Sequence, residues 1–300
     1  MRNGILDSND IKILQILSNE GRRSYRSIGL EIGLVPQSVK TRIKNMLSSG
    51  VIEKFIIIIS PSALGYGKEC LVVVRKRQEK QNVFNNLSLL GDVTLEVQSL
   101  GGFSAFRLIL NEESEYKIQF LADALKPAKV ETMLLTDSYN TETSLSKTDL
   151  SILKYLILNP RIESSEIAEN LSISTKTVTR RLRIMLDSHT LKFGLHLNPA
   201  SLRGYILFGI TMNIKEGSYQ KILSRVYSDF KEYFLLLPPA MPQGTITVLF
   251  LSKDVFTADK ILAIIESYKG VEQTEVFLPT KIVLQQDWLT TAIDRRLRQN

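Results

Sequence analysis

The chain repeats itself with a period of 139 residues. Shifting the sequence by this distance aligns residues 6–66 with residues 145–205 without a gap, from Leu6 over Leu145 to Tyr66 over Tyr205. A repeat of this length indicates a duplicated structural unit, so two copies of one fold are expected. The polar segment 137–144 has the composition of a linker between them.

Each copy begins with the pattern of three short helices. Asp7 and Asp10 form a capping signal before apolar residues at helical spacing. Gly33 is placed to end a second helix, and Pro36 is placed at the start of a third. The second copy repeats this plan, with Ser146 and Asp149 as the capping signal of its first helix and Ser174 as the cap of its third. Three such helices predict a winged-type helix-turn-helix unit, whose third helix enters the major groove of DNA.

The outward face of each third helix is polar and basic. The inward face is apolar and is formed by Val39, Ile43, Met46 and Leu47 in the first copy and by Val178, Leu182, Met185 and Leu186 in the second. Glutamine pairs with adenine, lysine and arginine pair with guanine or phosphate, and hydroxyl groups suit phosphate oxygens. An ordinary three-helix packing unit with a solvated face is the alternative. We expect double-stranded DNA as the partner, bound by Gln37, Ser38, Lys40, Thr41, Arg42, Lys44, Thr175, Lys176, Thr177, Thr179, Arg180, Arg181 and Arg183.

The net charge of +7 is carried by the two segments that contain the predicted helix-turn-helix units. Residues 1–60 carry +4 and residues 145–198 carry +3, while the charges of the remaining residues cancel. Clustered positive charge is expected of a protein that binds a polyanion, although a basic segment alone is often only a solvated face.

Strands dominate the rest of each copy. The β-branched run 51–60 must pair with another strand, because it would aggregate if exposed. The elements after it follow the order βαββαβ, which predicts a ferredoxin-like domain. In the first copy they are Glu69–Arg75, Glu79–Leu90, Thr94–Ser99, Phe103–Leu110, Glu113–Leu125 and Val130–Thr136. In the second they are Tyr205–Asn213, Tyr219–Phe230, Tyr233–Leu237, Thr245–Leu251, Ala258–Tyr268 and Glu272–Leu278.

The predicted fold class is therefore α+β, a tandem repeat of a winged-type helix-turn-helix domain and a ferredoxin-like domain. We expect boundaries at 1–52, 53–138, 139–191 and 192–300. The last domain ends in an amphipathic helix from Asp287 to Arg298, with Trp288 as its docking anchor.

Several classes of function receive no support from the sequence. One cysteine, Cys70, allows no internal disulfide, and no P-loop, zinc-protease motif, nucleophile elbow or Rossmann fingerprint is present. The longest apolar run, Phe55–Ile59, is too short to span a bilayer, and the N-terminus has no signal-peptide pattern. We expect a cytoplasmic protein that is not an enzyme and needs no cofactor or metal.

Residues 6–66 resemble the N-terminal part of the Lrp/AsnC (feast/famine) family of transcription regulators, and residues 145–205 resemble it a second time. The pattern includes Leu6-Asp7, Asp10, Gly21-Arg22, Arg42 and Gly50-Val51-Ile52. The resemblance implies a ferredoxin-like regulatory domain and dimerisation through it. A typical member has one such unit, whereas two are fused here, and Val35 stands where the family usually has a capping serine.

The resemblance also implies a small-molecule effector near the turn between the second and third body strands. This turn is reduced here to Gly101, Gly102 and Phe103, with Gly244 as its counterpart in the second copy, and Ala105 lies where an acidic residue is usual. Ordinary amino-acid sensing is therefore not expected. The glycines are interpreted first as tight turns and second as an effector site.

The two copies are expected to form a pseudo-dimer within one chain. In this hypothesis the two sheets pack face to face, the strands Phe55–Ile59 and Phe193–Leu197 pair, and the third helices contact two half-sites of different sequence. Whole chains are also expected to form a homodimer through the ferredoxin-like domains, and pairing of each copy with its twin from another chain stays open.

Two rival functions fit the same architecture. One is an enzyme like the sirohaem decarboxylases, which share this arrangement of domains, and the second is an effector-binding assembly module without DNA. Enzymatic chemistry of that kind calls for acid and base groups such as imidazoles. Only His189 and His196 could supply them, and we expect His196 to be a half-buried strand residue.

Overall fold

Both copies of the repeat begin with the three predicted helices. The structure, a computed structural model, describes residues 5–75, 80–110, 125, 129–137, 144–237 and 244–299. The helices are α1 (Ser8–Asn19), α2 (Tyr25–Ile32) and α3 (Pro36–Ser48) in the first unit, and α5 (Lys147–Leu158), α6 (Ser164–Asn170) and α7 (Thr175–Asp187) in the second. Their ends follow the sequence signals: Asp7 with Asp10 forms a capping box, as does Ser146 with Asp149, and Gly33 ends α2 at φ +73°.

A two-stranded ribbon joins the two copies. Strand β1 (Ile52–Ile59) pairs antiparallel with β6 (Leu191–Leu197), and Phe55 lies opposite Leu195. This confirms the expected pairing of the β-branched run within one chain. The ribbon belongs to neither of the larger sheets.

Each copy also forms the predicted ferredoxin-like sheet. The first contains β2 (Lys68–Arg75), α4 (Lys80–Ser88), β3 (Asp92–Ser99), β4 (Phe103–Leu110) and β5 (Lys129–Asp137). The second contains β7 (Ile206–Ile214), α8 (Tyr219–Phe230), β8 (Phe234–Leu236), β9 (Thr245–Ser252), α9 (Val255–Glu266) and β10 (Val271–Phe277). The four body strands follow the same spatial order in both sheets, and the strand pairs are antiparallel. The predicted helix Glu113–Leu125 lies outside the described residues except for Leu125.

The C-terminal segment crosses from the second copy to the first. Strand β11 (Pro279–Leu284), which was not predicted, pairs antiparallel with β3 and adds a fifth strand to the first sheet. Helix α10 (Asp287–Gln299) then packs against α5. The indole of Trp288 stands edge-on to the ring of Tyr66, with the centroids 5.8 Å apart, so its predicted docking role is confirmed. No described helix is long and apolar enough to cross a membrane.

The core of each helix-turn-helix unit extends into the other copy. The core of the first unit is continuous with Leu207, Leu235 and Leu251 of the second sheet. The core of the second unit is continuous with Tyr66 and Ile109 of the first copy and with α10. Helix α1 also covers the edge strand β8: the Gln15 side-chain amide donates to the carbonyl oxygens of residues 232 and 234, and that of Asn19 donates to the carbonyl of residue 235.

Candidate nucleic-acid interface

The third helix of the first unit presents a polar face to solvent. Val39, Ile43 and Met46 are buried beneath it, as their spacing predicted. Leu47 was also expected to point inward but is 39 % exposed, because it lies at the edge of the buried stripe. The exposed predicted contacts are Gln37, Lys40, Thr41 and Lys44, while Ser38 is half-buried.

The equivalent face of the second unit carries more positive charge. Thr175, Lys176, Thr179, Arg180 and Arg183 are exposed on α7. Thr177 is half-buried, and its backbone N–H donates to the Ser174 side chain that caps the helix. Leu186, at the position equivalent to Leu47, is likewise 40 % exposed rather than buried. The two faces share a geometry but differ in sequence.

Arg42 and Arg181 bind the first helix of their own unit. The Arg42 Nη1 donates to Asp7 Oδ2 at 2.7 Å and to Asp10 Oδ1 at 2.8 Å. In the second unit, Arg181 Nε donates to Asp149 Oδ1 at 2.6 Å, and its Nη2 donates to Asp149 Oδ2. Both arginines were predicted from the sequence to contact DNA, whereas the structure gives them a role in holding α3 against α1 and α7 against α5.

These arginines also set the ionisation of their partners. Burial would raise the pKa of Asp149, but the hydrogen bonds from Arg181 and Ser146 outweigh it and hold this pKa below its ordinary value. For Asp7, burial is likewise outweighed by the backbone N–H of Asp10 and by Arg42, so its pKa is also lowered. Both carboxylates are therefore charged at neutral pH.

A second pair of arginines, Arg22 and Arg161, joins the two helix-turn-helix units. Arg22 Nη2 donates to the carbonyl oxygen of Ile162 at 2.6 Å. Arg161 Nη1 donates to the carbonyl oxygen of Gly21 at 2.7 Å. Burial lowers the pKa of both guanidinium groups, yet that of arginine starts so high that both stay charged at neutral pH. We call Arg22 and Arg161 the reciprocal arginine pair.

The two histidines lie in different environments. His189 is exposed at φ +54° just after α7. His196 is only 5 % exposed, so the expectation of a half-buried residue was wrong. The ribbon is covered there by β11: His196 Nε2 lies 3.0 Å from the Ile282 carbonyl oxygen, and Nδ1 lies 3.1 Å from Glu53 Oε2. Among the residues that the structure describes, no group of histidine, cysteine and acidic side chains could hold a metal ion.

The glycine turns proposed as an effector site are ordinary tight turns in their backbone geometry. Gly101, Gly102 and Gly244 have φ between +83° and +88°, in the left-handed region that favours glycine. The ring of Phe103 lies 3.9 Å beneath the Arg75 guanidinium. One cavity of the molecule lies beside Arg22 and another beside His196, and none of these residues lines either of them. Their role in effector binding stays a prediction.

Two basic helical faces, held in one chain by a shared ribbon, define a DNA-binding protein of the helix-turn-helix class. The family model for winged helix-turn-helix DNA-binding domains matches residues 6–53 and again residues 145–192. The chain is 30 % identical over 124 residues to the HTH-type transcriptional regulator Ptr1 of Methanocaldococcus jannaschii, an alignment covering 41 % of this chain and 84 % of Ptr1. It is 24 % identical over 143 residues to the regulatory protein AsnC of Haemophilus influenzae, covering 47 % of this chain and 91 % of that protein.

The chain belongs to the Lrp/AsnC family and is a DNA-binding transcription regulator of that type. Its tandem architecture is similar to that of the siroheme decarboxylase NirDL, with a TM-score of 0.53 over 97 % of this chain and 99 % of NirDL. At 15 % identity this likeness shows the fold alone.

Proposed function

We propose that one chain acts as an intramolecular pseudo-dimer whose helices α3 and α7 contact two half-sites of different sequence. The observation that carries this proposal is the reciprocal arginine pair, which ties the two units to each other within the chain. Fixed units are suited to half-sites about one helical turn, or a multiple of it, apart.

The proposed DNA contacts are the exposed members of the predicted set: Gln37, Lys40, Thr41 and Lys44 for one half-site, and Thr175, Lys176, Thr179, Arg180 and Arg183 for the other. Equivalent positions differ in chemistry, since Gln37 corresponds to Lys176 and Thr41 to Arg180. A palindrome would therefore fit one helix better than the other. We assign Ser38, Arg42, Thr177 and Arg181 to supporting positions, because they are partly covered by their own units.

The experiment is a DNA titration across salt concentrations, using an operator obtained by selection from random DNA. Replacing Lys40 and Lys44 with alanine should weaken binding to one half-site, and replacing Arg180 and Arg183 should weaken binding to the other. Each lost base contact is expected to cost about 1–3 kcal/mol, and each lost phosphate contact should reduce the log–log salt slope by about 0.9.

The matched control replaces Lys221 and Lys260 with alanine. Both are exposed on the second ferredoxin-like domain, and their replacement removes the same charge as either helix variant. If the control weakens binding as much as either helix variant, the effect is one of net charge and the assigned faces are wrong. Equal loss at both half-sites from each helix variant would contradict the pseudo-dimer.

We further propose that the chain is not an enzyme. Its curated relatives are transcription regulators, whereas the likeness to NirDL rests on fold. The two ring nitrogens of His196 face Glu53 and Ile282, and His189 is exposed. The absorption spectrum of a mixture of the protein and sirohaem should equal the sum of the spectra of the protein and of free sirohaem. A shifted Soret band with turnover to a decarboxylated product would overturn this proposal.

A further inference from the structure

A cavity of about 200 Å³ lies where the ribbon meets both sheets and the C-terminal segment. The ribbon contributes His196, the first sheet contributes Val97, the second sheet contributes Leu249, and the C-terminal segment contributes Ile282 and Trp288. We call this space the ribbon cavity. Its walls come from both copies of the repeat, so a molecule bound in it would contact both copies at once.

Apolar side chains form most of the walls of the ribbon cavity. On β11, Ile282 and Leu284 line it whereas Lys281 does not, as expected of a strand that turns one of its two faces to the space. Both of these apolar side chains are only half-buried, and so are Val97 and Leu249 from the two sheets. Half-buried apolar side chains that line one space leave apolar surface for a ligand to cover.

Three polar side chains on these walls are engaged with other parts of the protein. Arg107 is paired with Glu69, and the Gln286 side-chain amide donates to a main-chain carbonyl oxygen of β1 at 3.3 Å. His196 Nε2 lies 3.0 Å from a carbonyl oxygen of β11, and its Nδ1 lies 3.1 Å from Glu53 Oε2. A carboxylate in this space would meet no unpaired arginine or lysine among the described lining residues, and burial of an unpaired charge is costly. The cavity therefore favours an uncharged ligand.

The volume of the ribbon cavity limits the size of such a ligand. An apolar cavity of about 150 Å³ lined by leucine, isoleucine and phenylalanine side chains stays dry and takes up benzene. The volume of about 200 Å³ in this chain is somewhat larger, so it matches a single ring that carries a small apolar substituent.

We propose that the ribbon cavity binds one uncharged apolar molecule about the size of a substituted benzene. The molecule contacts Val97, Leu249, Ile282 and Trp288, and it covers apolar surface that both copies leave half-buried. Its binding stabilises the join between the copies, because its contacts lie on both sheets and on the segment that crosses between them. That such a ligand changes DNA binding rests on the proposed function; that it binds does not.

The test is a titration of the full chain without DNA, followed by the fluorescence of Trp288. This residue is the one tryptophan of the chain, and it lines the cavity. Three probes carry the same ring: toluene, benzoate and L-phenylalanine. Toluene should change the emission saturably and raise the melting temperature, because a ligand of the folded state stabilises it. Benzoate and L-phenylalanine should bind at least about tenfold more weakly, because their charged groups would be buried without partners.

Two outcomes of this titration overturn the proposal, whatever the DNA titration shows. The first is the absence of saturable binding of toluene up to its solubility limit. The second is binding of benzoate or L-phenylalanine as tight as that of toluene, since the site would then accept charged ligands.

A matched pair of variants locates the site. Val97 and Val73 both lie opposite Ala105, one on each side of it in the first sheet, and both are half-buried. Only Val97 lines the cavity. Val97→Phe should fill part of the space and weaken toluene binding at least about tenfold, whereas Val73→Phe should leave it unchanged. If the two variants bind toluene equally, the ligand lies elsewhere and the proposal is wrong.

A further variant changes the cavity in the opposite direction. Leu249→Ala removes a half-buried side chain from the wall and enlarges the space. The affinity for tert-butylbenzene relative to toluene should rise at least about tenfold over that of the wild type. An unchanged ratio of the two affinities would place the ligand elsewhere and contradict the proposal, even if Val97→Phe did not fold.

Discussion

Arg22 and Arg161 occupy equivalent positions of the two repeats, and each donates a hydrogen bond to a main-chain carbonyl oxygen of the other helix-turn-helix unit. Each guanidinium also lies over aromatic rings: Arg22 over Phe193, and Arg161 over Tyr25 and Phe55. An arginine that is largely buried, stacked and bonded to a carbonyl has little freedom to move. The reciprocal arginine pair therefore fixes how the two units lie relative to each other.

Removal of one member of this pair should loosen the spacing of the units. Arg161→Ala is expected to weaken binding to a two-half-site operator roughly tenfold, while isolated half-sites are bound as by the wild type. Operators with inserted base pairs should be discriminated less sharply. The measurement is a titration across an operator-spacing series, with Lys221→Ala as control. Unchanged discrimination would show that the ribbon alone sets the spacing.

Replacing Gln37 with the lysine found at the equivalent position of the second copy should change which base is preferred in the first half-site. Gln37 and Lys176 are equivalent and exposed. Gln37→Lys is expected to shift the preference of the first half-site from adenine towards guanine, with about 1–3 kcal/mol of discrimination, since lysine pairs with the acceptors of guanine. Selection of half-sites by the variant, compared with the wild type, checks this. A preference that stays the same would remove Gln37 from the base contacts.

Acid should destabilise the second unit through Asp149. This carboxylate is fully buried, and its folded-state pKa lies below the ordinary value of 3.8. A lowered pKa means that Asp149 contributes stability above its ordinary pKa, and that this contribution is lost as the pH falls through the folded value. Asp149→Asn should cost about 3–5 kcal/mol at neutral pH, because Arg181 is left without its partner, and should flatten the acid side of the stability profile.

Urea unfolding followed from pH 7 to pH 2 measures this effect. Asp187→Asn is the control, since that side chain is exposed on the same unit. Equal pH profiles for the two variants would show that the ion pair with Arg181 contributes nothing specific.

Gly21→Ala should destabilise the contact between the first unit and the ribbon. A Cβ at Gly21 would lie 2.8 Å from the backbone nitrogen and 3.0 Å from the carbonyl oxygen of Gly194, so a backbone must shift. We expect a loss of about 1–3 kcal/mol in the free energy of unfolding. Gly67→Ala is the control, because a Cβ there meets no atom within 4 Å. A Gly21 variant as stable as the control would mean that the ribbon can move away without cost.

The sequence was sufficient for local structure and for the outward faces of the recognition helices. The capping pairs Asp7–Asp10 and Ser146–Asp149 and the turn at Gly33 acted as predicted, because caps and turns depend on residues a few positions apart. The order of strands followed from alternation and from the repeat. Strand β11 was missed because its pairing partner is in the other copy, and an edge strand this short leaves a weak pattern.

The candidate DNA-binding site likewise combines features that local sequence predicted with features that depend on distant residues. Exposure of Lys40, Lys44, Arg180 and Arg183 followed from helical periodicity, whereas the ion pairs of Arg42 and Arg181 depend on residues more than thirty positions away. A comparison of the repeats also points to the buried ion pair of the first copy, since Glu69 and Arg107 are charged where their counterparts Phe208 and Val248 are apolar.

The sequence by itself therefore determined that the protein is a duplicated regulator with two basic recognition helices, because helical periodicity, caps and charge are local properties of the chain. Only the tertiary structure decided how the copies combine. The core of each helix-turn-helix unit extends into the other copy, β11 crosses to the first sheet, and Arg22 and Arg161 bind carbonyl groups across the join. These contacts join residues far apart in the sequence, and they form because an unpaired ribbon, an open sheet edge and an exposed apolar face each cost free energy until the other copy covers them.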